Sequence, residues 1–592
     1  MRREEIEERY LWDLSDLFQN DEAWELEFAN VKALAEQYKA FKGILTENSE
    51  TLLAAIKLQE TLSRSLTNVV TYAKMKQDEN TKLSTYQALV ARSESLMTEV
   101  GEIMSFAVPE ILRLDYETFS KLLEHPELNS YSKHFQNLFR GKPHTLTEEI
   151  EGLLAQTEEM AGVPSNAYGM LLNADMTFED AIDCEGNAHK LTNGSYISLL
   201  MSEDRILRED AFNKFYKVYG AHINTISSLM QSEVKKNLFY SRVRKHPSSR
   251  EAALFENNIP VSVPDKLIEA VNANLETFYK YMRLRKRVLG VETLHLYDIY
   301  TPIIAKVDFK IEYDEAKEIV TNALSALGDA YQNDIKSAFD ERWIDVFETE
   351  GKRSGAYSWG TYDSKPYVLL NHKNNLDSMF TLAHELGHSM HSLLTRRAQP
   401  YVYGNYSIFV AEVASTTNEA LLNDYLLKTV TDTEKKKYIL NHYLEQFRGT
   451  IFRQTMFAEF ERDIHQHVEA GGALTADFMC NHYMELNKKY FGPDVIIDDS
   501  IKYEWARIPH MYYNFYVYQY ATGFSAAISL ADQILKEGKP ALDRYLGFLS
   551  SGSKDYPINI LREAGADMET ELPVMNALAV FKSVVDELDA LL

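Results

Sequence analysis

Apolar side chains recur at three- and four-residue steps through most of this chain, and that rhythm predicts helices. Leu52, Ile56, Leu62, Leu66 and Val69 form one such stripe; Leu89, Leu96, Val100 and Ile103 form another. Gly141-Lys142-Pro143 breaks the rhythm, and a new helix is expected after it, with Thr145 and Glu148 at capping-box spacing. The pattern changes between Asn173 and Asn193. There Thr177, Phe178 and Ile182 read as strand and Glu185-Gly186-Asn187 as a turn, so a small hairpin is expected among the helices. Ser262-Val263-Pro264-Asp265 marks a further helix start. Residues 301–311 read as extended, and Tyr367 to Asn371 reads as a strand bounded by turn residues. From Leu376 onward the pattern is again helical, interrupted near Gly471-Gly472 and Gly492-Pro493. The expectation is a mostly α protein with a small β part just before residue 376. No internal repeat or low-complexity segment interrupts it.

The most informative helix carries His384-Glu385-Leu386-Gly387-His388. Met379, Leu382, Leu386 and Met390 supply its apolar face, and Asn375 or Asp377 stands where a cap belongs. Histidines four residues apart lie one turn apart on one face, so both imidazoles reach one metal ion. The intervening glutamate is placed to take a proton from a water that the metal acidifies. The motif has only three fixed positions, so the alternative is a structural histidine pair, and a third ligand has to decide. His391 lies about 10 Å along the axis from His384 and cannot share its metal. The metzincin spacing also fails, because His391 and Leu394 stand where glycine and histidine would be needed.

A glutamate on the next helix is the better candidate. Ser407 to Leu427 reads as that helix, and Glu412 is a lone acid among Phe409, Val410, Ala411, Val413 and Ala414. A carboxylate on an apolar face needs a partner, and a metal ion is one. Glu419, two turns on, either orients a ligand histidine or is a solvated acid. A third cluster follows. His510, Tyr512, Tyr513, Tyr516, Tyr518 and Tyr520 crowd one short segment, with Tyr513, Tyr516 and Tyr520 expected on one helical face. The cluster reads either as aromatic core or as donors for the oxyanion of a peptide-bond attack.

Composition narrows the class. The 592 residues are 45% apolar and 25% charged, with 36 tyrosines and a net charge of -26. Length alone suggests three to four structural units at about 150 residues each. The acidic balance, without a basic stripe, argues against nucleic-acid binding. Cys184 and Cys480 are the only cysteines, so a disulfide framework is not expected. The start is charged rather than apolar, and no run is long and apolar enough to span a membrane, so a cytoplasmic location is the default expectation.

Ala383 to His391, Phe409 to Glu419 and Arg507 to Gly523 together resemble oligoendopeptidase F, the bacterial branch of the M3 metallopeptidases related to thimet oligopeptidase. Leu11 to Leu17 and Tyr281 to Lys286 resemble that branch as well, so the likeness spans nearly the whole chain. The resemblance implies a helical ellipsoid with a deep central channel and a small β-sheet beside the zinc-binding helix. It implies an N-terminal helical region over 1–115, a family N-terminal-type region with the hairpin over 116–200, and a catalytic domain over 201–592. His384, His388 and Glu412 would hold one Zn2+ ion per chain, and Glu385 would be the general base. His510, with Tyr513 and Tyr520 at the family's seven-residue spacing, would face the oxyanion. The gap from His510 to the first tyrosine is shorter than in the thimet branch, so Tyr512 and Tyr516 stand as alternatives. Tyr516 is also a substrate-binding candidate. Tyr367 and Leu369 would pair with the substrate backbone by strand addition. The expected activity is zinc-dependent cleavage of internal bonds in short peptides; oligomeric state stays open. A zinc carboxypeptidase on a similar scaffold and a helical peptide-binding protein with a vestigial motif are the rivals. A purely structural zinc is disfavoured, because three protein ligands leave a position open for water.

Overall fold

Several helix starts in this chain are set by side chains that satisfy the first free backbone N–H groups. Asn20, Asn48 and Asp115 each accept from an N–H one turn into the helix that follows. The computed structural model describes residues 1–304, 307 and 309–592. It is predominantly helical and divides into two compact units, each assembled from three stretches of chain.

The first unit comprises Met1–Lys142, Phe309–Leu422 and Gln533–Ala564. Its N-terminal helices Asp21–Tyr38, Ser49–Glu79 and Ser84–Met104 bury Trp24, Val31, Leu62, Val69, Leu96 and Val100 in one core. Both apolar stripes expected from the sequence supply buried side chains. A three-stranded sheet packs on this core. We label its strands β1 (Ile344–Asp345), β2 (Tyr357–Trp359) and β3 (Tyr367–Leu369). β3 is central, parallel to β1 and antiparallel to β2. Two long helices complete the part that matters for chemistry: α1, Leu376–Ala398, and α2, Ile408–Thr429. Asn375 caps α1 through the N–H of Ser378.

The second unit comprises Pro143–Asp308, Asn423–Asp532 and Gly565–Leu592. It is built around the 39-residue helix Arg205–Val243. The expected hairpin is present as Ala181–Ile182 against Ala188–His189. Thr177 and Phe178 precede it, and Phe178 stacks on Phe215 instead of joining a strand. The helix after the Gly-Lys-Pro break begins at Glu148 with Thr147, not Thr145, at its N-cap. A short parallel pairing of Leu294–His295 with Val495–Ile496 was not foreseen from sequence. Residues 305, 306 and 308 of the segment expected to be extended lie outside the described residues; its remainder joins no strand.

Candidate metal centre

α1 presents His384 and His388 one turn apart, with ring centroids 4.9 Å apart and the rings nearly perpendicular. α2 brings Glu412 against them. Its Oε2 lies 3.3 Å from His384 Nε2 and 3.6 Å from His388 Nε2. One ligand atom from each residue falls within 4.8 Å of the others. Two imidazoles and a carboxylate at that spacing match a three-residue zinc donor set with one position left for water or substrate. The helices meet this closely because Gly387 has no side chain. A Cβ there would sit 2.5 Å from the Cα of Ser415. Asn418 of α2 ties the pair by donating to the Ala383 carbonyl at 3.1 Å, and Tyr331 donates to Asn418 in turn.

Glu419 is the orienting carboxylate rather than a solvated acid. Its Oε1 lies 2.5 Å from His384 Nδ1. That bond places the proton on Nδ1 and leaves the Nε2 lone pair for a metal. Charge at the site makes a separate argument for a cation. Burial pulls His384 down, yet hydrogen bonds to Glu412 and Glu419 outweigh it and lift the imidazole to about 10. Three carboxylates, Glu385, Glu412 and Glu419, surround two imidazoles, so the cluster is short of positive charge, and a divalent cation would supply it. His388 is held neutral, near 4, by burial and by His384, and Glu412 is held down to about 2, against its own burial, by its bond to His384.

Glu385 is 6% exposed. Burial first, and then Glu412 and Glu419, push its carboxyl up to about 7 against the opposing pull of His384 and a backbone hydrogen bond from Ser358. Ser358 belongs to β2, and its hydroxyl also meets Ser389 of α1 at 2.8 Å. β2 is therefore an edge strand lying on the motif helix. This corrects the expectation for Tyr367 and Leu369. They lie in β3, paired on both sides and fully buried, with Tyr367 packed edge-on against Trp12. A strand with both ladders filled has no free N–H or C=O for a peptide, whereas an edge strand does. Ser358 was missed because one polar residue in a three-residue strand leaves no periodic signal. His391, set aside as a ligand, stacks on Tyr406 at 3.6 Å and stays neutral in the core.

The aromatic cluster lies in the second unit. Tyr520 OH and His510 Nε2 are 3.3 Å apart, and the rings of Tyr513, Tyr516 and Tyr520 surround His510 at 5.4–6.3 Å. Tyr513 and Tyr516 do not share a helical face with Tyr520. Asn514 and Phe515 both adopt left-handed backbone, at φ 47° and 58°, and the helix α3, Tyr518–Glu537, begins only after them. The turn, not helical periodicity, gathers the rings. Buried Glu461 holds it, its Oε1 accepting from the Phe515 N–H at 2.6 Å. Tyr512 leaves the cluster and stacks on Tyr168. Tyr513 is 56% exposed, the most accessible phenol of the group.

The sequence profile described as Peptidase family M3 matches residues 198–580, and one described as Oligopeptidase F matches residues 110–178. Oligopeptidase PepF of Bacillus subtilis is 46% identical over 591 residues, covering 100% of this chain and 88% of that protein. Group B oligopeptidase PepB of Streptococcus agalactiae is 44% identical, covering 100% of this chain and 98% of its own. The crystal structure of oligoendopeptidase-F from Enterococcus faecium superposes with a TM-score of 0.74 at 37% identity, over 96% of this chain and 99% of that one.

Proposed function

This chain belongs to peptidase family M3 and is a metallo-oligopeptidase, and from that premise we propose that it is a zinc-dependent endopeptidase cutting internal bonds of short peptides in the cytosol. The observation that carries the reading is the convergence of His384, His388 and Glu412 within 4.8 Å, with Glu385 buried on the same helix. Zinc bound there would polarise the scissile carbonyl and acidify the attacking water to a pKa of about 7. Glu385 accepts the proton of the attacking water and returns it to the leaving amine. Its carboxyl, near 7, suits both transfers at neutral pH. Ser358 orients that carboxylate through its backbone N–H. The edge strand β2 takes over the peptide-pairing role first expected of Tyr367 and Leu369.

His510, Tyr513 and Tyr520 donate to the oxyanion, and Tyr516 lines the peptide. Support comes from the bond between Tyr520 and His510 and from the exposure of Tyr513. The cytosolic assignment rests on the two free cysteines and on the absence, among the described residues, of a helix long and apolar enough to cross a membrane.

The test combines metal analysis with digestion of a decapeptide, with and without chelator, read by mass. Internal fragments that vanish with chelator and return with zinc are expected. Stepwise loss of single C-terminal residues would replace this reading by a carboxypeptidase, and an intact peptide beside bound zinc would replace it by a binding protein.

A further inference from the structure

The first unit holds a cavity of about 280 Å3 that none of the metal-centre residues lines. One face of the helix Ser49–Glu79 runs along it. Leu52, Ala55, Ile56, Gln59, Glu60 and Ser63 all border the space, and their three- and four-residue steps put them on one stripe. That stripe changes character along its length. Leu52 and Ala55 are each 1% exposed, and Leu52 and Ile56 pack with Ile111 and Phe135 in one apolar cluster. One turn on, about 6 Å along the axis, the stripe becomes polar. There Glu60 Oε1 accepts from Tyr131 OH at 3.0 Å, and Gln59 Oε1 accepts from Tyr38 OH at 3.2 Å. Tyr401 faces Ser63 and Glu60 at the same end. The cavity therefore has an apolar end and a polar end. Val108, 48% exposed, and exposed Asn405 mark where solvent reaches it.

Charge at the polar end has one sign. Half-buried Glu60 is the one carboxylate among the residues that border the cavity, and no lysine or arginine borders it. Two bases stand within helical reach of Glu60, Lys57 three residues before it and Arg64 four after. They pair instead with Glu127 and Asp363. Among the described residues no lysine or arginine forms an ion pair with Glu60. His134 also borders the space, but desolvation pulls its imidazole below the usual histidine range, so it adds no positive charge at neutral pH. A carboxylate drawn partly out of water gains from a cation that enters beside it. Tyr38, Tyr131, Tyr401 and Phe135 add aromatic surface, which favours an ammonium group over an anion.

We propose that this cavity binds a small amine with an apolar body, its ammonium group on Glu60 and its body among Leu52, Ile56 and Phe135. An apolar cavity of about 150 Å3 already admits a benzene ring, so this one has room for a ring carrying a short aminoalkyl chain. A free amino acid is disfavoured, because no bordering cation meets its carboxylate. Tyr401, Val402 and Asn405 belong to the segment that joins α1 to α2. An occupant of the cavity therefore touches the connection between the two metal helices.

The test titrates the zinc-loaded full chain by calorimetry with phenethylamine, 2-phenylethanol and 3-phenylpropionate. The three share a ring and differ in the charge at the end of a short chain. The amine is expected to bind at one site about 10-fold tighter than the alcohol, the size of a charge-assisted hydrogen bond at a half-exposed carboxylate, and the anion is expected not to bind. Glu60→Gln should bring amine and alcohol to the same affinity while leaving the alcohol unchanged, which also shows that the cavity is still formed. Ile56→Trp, checked for an unchanged Tm, should fill the apolar end and abolish both. Equal affinities of amine and alcohol for the native chain, or no binding of the amine, would overturn the site, and neither outcome needs a folded variant. An amine preference that survives in Glu60→Gln would also overturn it, because the charge would then be read elsewhere on an acidic chain.

Discussion

Gly387 stands between the motif histidines, and replacing it by alanine tests how tightly the metal centre depends on helix contact. A Cβ at this position would lie 2.5 Å from Ser415 Cα and 2.8 Å from both Ala414 O and Ser415 N. Those atoms are α2 backbone, so no side chain can rotate away. Ordinary contact begins near 3.4 Å, so α2 must recede by about 0.9 Å, the difference between 3.4 and 2.5 Å. Glu412 lies on the same turn of α2 as Ser415, which donates to it. Metal ligands tolerate displacements of only about 0.2 Å, so the shift far exceeds what the donor set can absorb. Overpacking costs about 1–3 kcal/mol, and alanine returns up to about 1 kcal/mol over glycine in a helix. The net loss of stability is therefore about 0–3 kcal/mol, which moves Tm only modestly in a chain of this length. Activity changes much more, because a misplacement of about 1 Å costs on the order of 100-fold. The expected signature is a small fall in Tm with large falls in zinc occupancy and kcat/KM. The assays are thermal melting, metal analysis after dialysis against a zinc buffer, and peptide turnover. Wild-type zinc occupancy together with wild-type kcat/KM would refute the argument that glycine is needed for helix contact.

Glu385→Gln keeps size and burial but removes the proton acceptor; turnover should fall by about 100- to 10,000-fold with zinc retained, and an active variant would exclude Glu385 as the base. Glu419→Gln should weaken zinc affinity by about 10- to 100-fold through His384, read by competition with a metal indicator; unchanged affinity would leave that 2.5 Å contact without a role. Burial lifts the Glu461 carboxyl from 4.5 to about 8. Between those values the folded state holds a proton that the unfolded chain has released, so this group makes stability fall as pH rises through that window and level off above it. Glu461→Gln keeps an acceptor for Phe515 without the charge, so melting curves across that range should lose the corresponding slope. Parallel slopes for both proteins would show that Glu461 does not titrate there.

The metal helix was legible from sequence because its evidence is local. Two histidines at i and i+4 share a face in any α-helix, and Met379, Leu382, Leu386 and Met390 declare that helix through spacing alone. Glu412 was legible for a related reason: an acid among small and apolar residues on the adjoining helix demands a partner. Other features depend on segments distant in the chain. Tyr367 to Asn371 announces a strand, but whether a strand is central or edge is decided by what pairs with it. Here Ile344–Asp345 and Tyr357–Trp359 fill both sides. The left-handed pair Asn514 and Phe515 has no glycine to mark it, so the tyrosines after His510 read as one helix until the backbone shows the turn. The arginines on Glu445 and Glu504 are the extreme case. Each is an ordinary charged residue on its own segment, and only packing gathers four of them around two glutamates. The sequence by itself determined the helices, the histidine pair and the acid that meets it, because these follow from neighbours along the chain. The tertiary structure decided the free strand edge, the ring cluster and the arginine–glutamate pairs, because hydrogen-bond pairing and desolvation depend on residues that only folding brings together.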